Sequence, residues 1–254
     1  MPITIKSERE IELMTEAGRI LGIVHKELEK ALKPGMSTLD IDALGEEVIR
    51  SYGCEPSFLN YNGYPASICV SVNDEIVHGI PSAKHLIKEG DIVSLDAGVI
   101  YKGYHSDAAR THAVGEVRPD LQKLIDVTRE SFFEGIKFAK AGNHLFDISG
   151  AIGRYAEERG YGVVRDLCGH GIGTALHEAP EIPNYEVGRK GVRLRPGMTL
   201  AIEPMINIGT HEVDWLDDDW TVVTRDGSLS AHYENTILIT EGEPRILSLT
   251  CENE

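Results

Sequence analysis

Residues Asp91 to Val114 read DIVSLDAGVIYKGYHSDAARTHAV, and the fold is decided in this stretch. Val93, Leu95, Ala97 and Val99 alternate as one face of a strand, a turn falls at Tyr101-Lys102-Gly103, and a second strand runs from Tyr104 to Val114. A four-residue loop from Ile100 to Gly103 puts Asp96 directly opposite Asp107. Opposed side chains lie roughly 4.5–5.5 Å apart at Cβ, where like charges destabilise the pair, and Asp is a poor strand former in any case. Two aspartates facing each other in an apolar hairpin call for a shared proton or a bound cation. The alternative is that both point into solvent, and the hairpin alone does not choose.

Working outward, the chain repeats itself. Ser7-Glu8-Arg9-Glu10 is a capping box, followed at helical spacing by Ile11, Met14, Ala17, Leu21, Val24 and Leu28. Pro34-Gly35 stops that helix. A second begins near Thr38, turns Ile41, Leu44 and Val48 inward and ends at Gly53. KPGMSTLDI from Lys33 returns as KAGNHLFDI from Lys140, 107 positions later. The same spacing relates Gly53 to Gly160, the segment 87–91 to 194–198, and Asp96 to Glu203. The counterpart of Asp107 is Glu234, further along by an extra acidic segment at 209–227 that carries Trp215 and Trp220. Each half thus reads as helix, helix, strands and an acidic hairpin. The expected fold is α+β, a pseudo-twofold repeat of helices over a curved antiparallel sheet. The expected organisation is one catalytic domain over residues 1–254, with halves of about 1–115 and 116–254.

Composition narrows the functional classes. The chain has 254 residues, 41% hydrophobic and 26% charged, with a formal net charge of −16. Such acidity disfavours nucleic acid and anionic membranes as direct partners, because phosphate binding needs a basic surface. No apolar run is long enough to span a bilayer, and MPITIKSERE lacks the apolar core of a signal peptide, so the expected compartment is the cytoplasm. Cys54, Cys69, Cys168 and Cys251 show no C-x-x-C spacing and are expected to be reduced thiols.

The second acidic pair is Glu203 in LAIEPMI and Glu234 in HYENTILIT. Four carboxylates in apolar strand contexts cannot all stay ionised without cations. An oxygen-rich donor set suits Mn, Co, Fe(II) or Zn, with His170 in CGHGIG as the candidate nitrogen donor. Ca²⁺ is disfavoured by the absence of EF-hand spacing. Two ions held by shared carboxylates, roughly 3.5–4 Å apart, suit hydrolysis. His78-Gly-Ile-Pro81 and His177-Glu-Ala-Pro180 form a matched H-x-x-P pair, one from each half. Flanking a metal centre, they could bind a scissile amide and its developing oxyanion. A lone histidine is more often structural, and His25, His85, His105, His112, His144, His211 and His232 are read that way or as solvated. Phe58, Tyr61 and Tyr64 lie shortly before Cys69 and His78 and could wall an apolar pocket with Trp220. For any one of them ordinary core packing is the simpler account.

These stretches resemble the methionine aminopeptidases of the short bacterial type I form. The resemblance runs from about Ile5 to Leu249 through NGYPASICVSVNDEIVHGIP, GDIVSLDAG, HSDAARTHAVG, CGHGIG, HEAP, LRPGMTLAIEPM and SLSAHYENTILIT. It implies the pita-bread fold and removal of the initiator methionine from nascent polypeptides whose second residue is small. It implies two divalent metals, bridged by Asp107 and Glu234, with Asp96 completing one site and His170 and Glu203 the other. A hydroxide bridging the metals attacks the peptide carbonyl, His177 stabilises the tetrahedral intermediate, His78 contacts the substrate amide and Glu203 shuttles protons. The implied methionine pocket is Phe58, Tyr61, Tyr64, Cys69, His78, Leu176 and Trp220. Leu176 and Phe58 depart from members that place an aromatic at the first position and a cysteine at the second. A monovalent cation held by backbone oxygens near Asn73, Glu75 and Ser230 is also implied. A monomer without a zinc-finger extension or the helical insertion of type II relatives is expected, and its own Met1-Pro2 start suits such an enzyme. The rivals are an X-Pro aminopeptidase or dipeptidase of the same fold, a non-catalytic binding relative, and a metal-free hydrolase. The complete set of five candidate ligands disfavours the last two.

Overall fold

The hairpin forms from strands Ile92–Tyr101 and Tyr104–Ala113. Its turn is shorter than expected. Lys102 (φ 49°) and Gly103 (φ 84°) alone make the loop, and Tyr101 pairs with Tyr104. Two successive positive φ values give a turn whose twist matches that of the flanking strands, and glycine takes one of them without strain. The register therefore moves by two residues: Asp107 pairs with Gly98 and Asp96 with Ala109. The expectation of directly opposed aspartates is corrected to a diagonal relation. A shift of two preserves the face, since side chains alternate with period two, so both carboxylates still point the same way.

The structure, a computed structural model, describes residues 2–249. Met1 and Cys251, which enter the start-site and thiol readings, lie outside the described residues. Helix α1 (Glu8–Ala31) is closed by the Ser7/Glu10 capping box and buries Met14, Ala17, Leu21, Val24 and Leu28. Helix α2 (Thr38–Ser51) buries Ile41 and Ile49, with Leu44 and Val48 at the margin of its inner face. Helices α3 (Pro119–Ile136) and α4 (Leu145–Glu157) occupy the same place in the second half. The repeat survives in detail. Asp40 accepts from the Ser37 backbone N–H at 2.8 Å, and 107 positions on Asp147 accepts from that of His144 at 2.8 Å. The isolated bridges Ser37–Leu86 and His144–Arg193 are related by the same spacing.

In the first half, Ile68–Val72 and Glu55–Pro56 share one edge of Ile92–Tyr101, and Tyr104–Ala113 takes the other. The second half holds a five-stranded antiparallel sheet, in the order Arg245–Ile246, Asn235–Leu238, Thr199–Ile202, Gly169–Gly171 and Glu178–Ile182. A separate three-stranded sheet places Met205–Asn207 between Ser230–His232 and Gly162–Val163. The halves meet where Ala109 and Glu234 exchange backbone hydrogen bonds of 3.3 and 2.9 Å. Beside them the Thr236 hydroxyl receives the Asp107 N–H at 2.8 Å and donates to the Asp107 carbonyl at 2.9 Å. One acidic residue from each half thus sits on the seam.

The second-half strands are not continuous as their counterparts are. They break at Glu203-Pro204, where proline offers no N–H to continue a ladder, and at Tyr233-Glu234, where the Tyr233 N–H turns to the Pro204 carbonyl. The extra segment forms the hairpin Val213–Trp215 and Val222–Thr224, and its second strand pairs with Glu75–Val77 of the first half. That pairing brings Trp220 over the seam. One apolar cluster lies under α1 and α2, another under α3 and α4, and a third between them contains Met14, Phe58, Tyr64, Cys69, Ile172 and Leu176.

Candidate active site

The seam gathers the acids. Asp107, Glu234 and His170 each bring a donor atom within 4.8 Å of the others, all three being buried. His170 Nε2 is 3.8 Å from Asp107 Oδ2 and 3.7 Å from Glu203 Oε1. The Asp107 carboxyl group is close enough to Asp96 to raise its pKa. Burial is the main force on every acid here. It pushes Asp107 up to about 7. It also holds Asp96, Glu203 and Glu234 well above the ordinary carboxyl range, with neighbouring acids adding to the effect. Asp96 Oδ1, Asp107 Oδ1 and Glu234 Oε1 are buried acceptors without a hydrogen-bond donor. A buried acceptor left without a partner is destabilising by about 1–3 kcal/mol, and more if charged. The His170 ring supplies what a cation needs. Its Nδ1 lies 2.9 Å from the Gly171 carbonyl, which can only accept, so the proton sits on Nδ1 and the Nε2 lone pair faces the acids. Burial also keeps this imidazole neutral, down to about 3. Four hard oxygen donors and one imidazole fit divalent first-row metals.

A pH dependence follows for the metal-free protein. These acids bind protons more tightly folded than unfolded, so stability falls as pH rises from the ordinary carboxyl range through about 7. Each unit of raised pKa corresponds to about 1.36 kcal/mol, making the effect on the order of a few kcal/mol. After chelation, the urea midpoint is expected to be lower at pH 7.5 than at pH 5, and Mn²⁺ is expected to restore it at pH 7.5. Equal midpoints in the chelated sample would contradict this account.

Above the acids opens a cavity of about 290 Å³. It is lined by every residue assigned to the site from sequence: Phe58, Tyr61, Tyr64, Cys69, His78, Asp96, Asp107, His170, Leu176, His177, Glu203, Trp220 and Glu234. Trp220 stands edge-on to Tyr64 at 5.1 Å and to His78 at 6.3 Å between ring centroids. His78 has φ 59°, a conformation that costs a non-glycine residue of order 1–3 kcal/mol and is typically kept at functional positions. Burial lowers His78 to about 4, so it is neutral near pH 7, and the exposed His177 is lowered from its ordinary value by partial desolvation. The His170 and His177 rings meet edge to face at 4.3 Å. The residue after His177 is tied down: Glu178 pairs with Lys6 at 2.7 Å, both side chains being buried. Gly173 is needed beneath that pair, because a Cβ there would lie 2.4 Å from Glu178 Oε1 and 2.5 Å from Lys6 Cε. Phe58 and Leu176 belong to one buried cluster.

Asn73, Glu75 and Ser230 also come together. Ser230 N–H donates to the Asn73 carbonyl at 3.0 Å, and Glu75 pairs with Val223 on the inserted hairpin. His232, expected to be structural or solvated, is buried, with Nε2 3.9 Å from Glu203 Oε2 and 4.0 Å from Glu234 Oε2. Asn62, Val77, Asp166, Leu167, Cys168 and Met205 line the cavity without having been singled out. Cys168 carried a faint signal, following Cys69 by the same 99 positions that separate His177 from His78.

The model of metallopeptidase family M24 matches residues 12–241. The chain belongs to metallopeptidase family M24. It is 54% identical to a methionine aminopeptidase of Clostridium acetobutylicum, over 98% of this chain and 100% of that protein. Its fold matches the crystal structure of a methionine aminopeptidase from Thermotoga maritima with a TM-score of 0.96 and 46% identity, over 98% of this chain and 100% of that one. An Xaa-Pro dipeptidase from Bacillus anthracis is similar at a TM-score of 0.77 and 28% identity, over 96% of this chain and 61% of that one. The pita-bread fold of this family is therefore the fold of the chain, and its chemistry is that of a metal-dependent aminopeptidase. Membership in a metallopeptidase family implies a divalent metal, and the buried acid–imidazole cluster fits one. Among the described residues no helix is long and apolar enough to cross a membrane.

Proposed function

We propose that this M24 enzyme removes the N-terminal methionine of polypeptides whose second residue is small. The observation that carries this reading is the union of the acid–imidazole cluster with an apolar pocket in one small cavity. Phe58, Tyr61, Tyr64, Cys69, His78, Leu176 and Trp220 make the walls for an unbranched side chain, and aromatic rings make favourable contacts with a thioether sulfur. Asp96, Asp107, His170, Glu203 and Glu234 would hold two divalent ions, of Co, Mn, Fe(II) or Zn, with Asp107 and Glu234 as the shared ligands. Such ions would supply an activated water and carbonyl polarisation. His78 contacts the substrate amide, His177 donates to the developing oxyanion, and Glu203 moves a proton between water and leaving amine. Backbone oxygens near Asn73, Glu75 and Ser230 would hold a monovalent cation. Residues 1–254 act as one catalytic domain and as a monomer in the cytoplasm. The acidity of the chain disfavours direct contact with nucleic acid.

Reconstituted with Co²⁺ or Mn²⁺, the protein is expected to release Met from Met-Gly and Met-Ala peptides and to cleave poorly when the second residue is large. Faster cleavage of X-Pro peptides lacking Met would favour the dipeptidase reading instead.

A further inference from the structure

The Tyr61 hydroxyl lies 2.7 Å from His177 Nδ1. We propose that Tyr61 is a positioning residue that donates this hydrogen bond and so fixes His177 in the tautomer bearing its proton on Nε2. The inference rests on the oxyanion role given to His177 and assigns Tyr61 work beyond walling the methionine pocket.

The direction of the bond follows from the chemistry of both partners. Burial raises the Tyr61 phenol above its ordinary value, so it carries its proton at any working pH. The His177 imidazole is exposed at the cavity mouth, within reach of the Tyr61 hydroxyl. A neutral imidazole has one N–H and one lone pair, and the tautomer is set by the partner of either nitrogen. An oxyanion needs a donor. With Nδ1 accepting from Tyr61, Nε2 carries the only proton the ring has to give.

The backbone provides a second, independent observation. Tyr61 begins the short 3-10 turn Tyr61–Gly63, and both its neighbours, Asn60 (φ 64°) and Asn62 (φ 50°), are left-handed. Asn is the residue type that most readily adopts this conformation after glycine, and such strain collects where geometry is used. The turn is closed by Asn60 N–H to the Tyr64 carbonyl at 2.8 Å and Tyr64 N–H to the Tyr61 carbonyl at 2.9 Å. Tyr61 and His177 rings stand 5.2 Å apart at 54°. A pocket wall needs only the ring; a hydroxyl held by a strained turn at a nitrogen needs a further reason.

Tyr61→Phe keeps the ring and removes the donor. It is expected to lower kcat about tenfold, which corresponds to about 1.4 kcal/mol, while KM for Met-Ala peptides stays within about twofold and metal content is unchanged. In a His177→Ala background, Tyr61→Phe is expected to have no further effect. Nitrogen-15 NMR of the imidazoles in chelated protein reads the tautomer without activity: His177 should be protonated at Nε2 in the parent chain and lose that preference in Tyr61→Phe. A raised KM with unchanged kcat would make Tyr61 a wall only and overturn the proposal, as would an Nδ1-protonated His177 in the parent. Undiminished turnover in His177→Ala alone would instead remove the oxyanion reading beneath it.

Discussion

Asp107→Ala and Glu234→Ala are each expected to lose metal on dialysis and to lower kcat/KM by about three orders of magnitude, some 4 kcal/mol of transition-state stabilisation. Both acids sit on the seam, one from each half, and both face His170. On the proposed assignment, removing either takes away a shared ligand. The sign of the stability change separates this from simple unfolding. In the metal-free protein the acids repel one another and are poorly solvated, so deleting one relieves the strain. Chelated Asp107→Ala is therefore expected to resist urea at pH 7.5 at least as well as the chelated parent, while Mn²⁺ stabilises the parent far more than the variant. Function would be lost where stability is gained, as is common for groups held in costly environments. Metal analysis showing full occupancy in either variant would remove the shared-ligand assignment.

Much of this site was legible in the chain because the acids violate local rules. Asp96 and Asp107 interrupt a strand pattern, and Glu203 and Glu234 do the same one repeat later. Charges that break an apolar alternation need compensation, and the 107-residue spacing indicates where the compensating partner comes from. What escaped was geometry that periodicity does not encode. The hairpin register depended on turn length, and the two-residue Lys102-Gly103 turn was read as four. The error left the site intact because two residues is one full strand period. The breaks at Pro204 and Tyr233 also escaped, and with them the approach of His232 to Glu203 and Glu234. A histidine shows its role only when its neighbours from other elements are known. The pairing of the inserted hairpin with Glu75–Val77 had no local sequence signal at all.

His177→Ala is expected to lower kcat by about 10²–10³, the usual loss for one donor at a developing oxyanion, with metal content and KM little changed. His177 lies beside His170, the rings 4.3 Å apart, yet offers no atom to the cluster formed by Asp107, His170 and Glu234. The prediction is thus an intact metal site with impaired chemistry. His78→Ala should behave differently. His78 stands against Trp220 at the pocket wall and is assigned to the substrate amide, so its loss is expected to raise KM as well as lower kcat. Burial lowers His78 to about 4, so it is neutral well above that value. His78 should therefore impose no fall in rate between pH 6 and 8. Loss of bound metal in His177→Ala, or a rate that titrates in that window and stops titrating in the variant, would show His177 to be a ligand or an acid instead of a neutral donor.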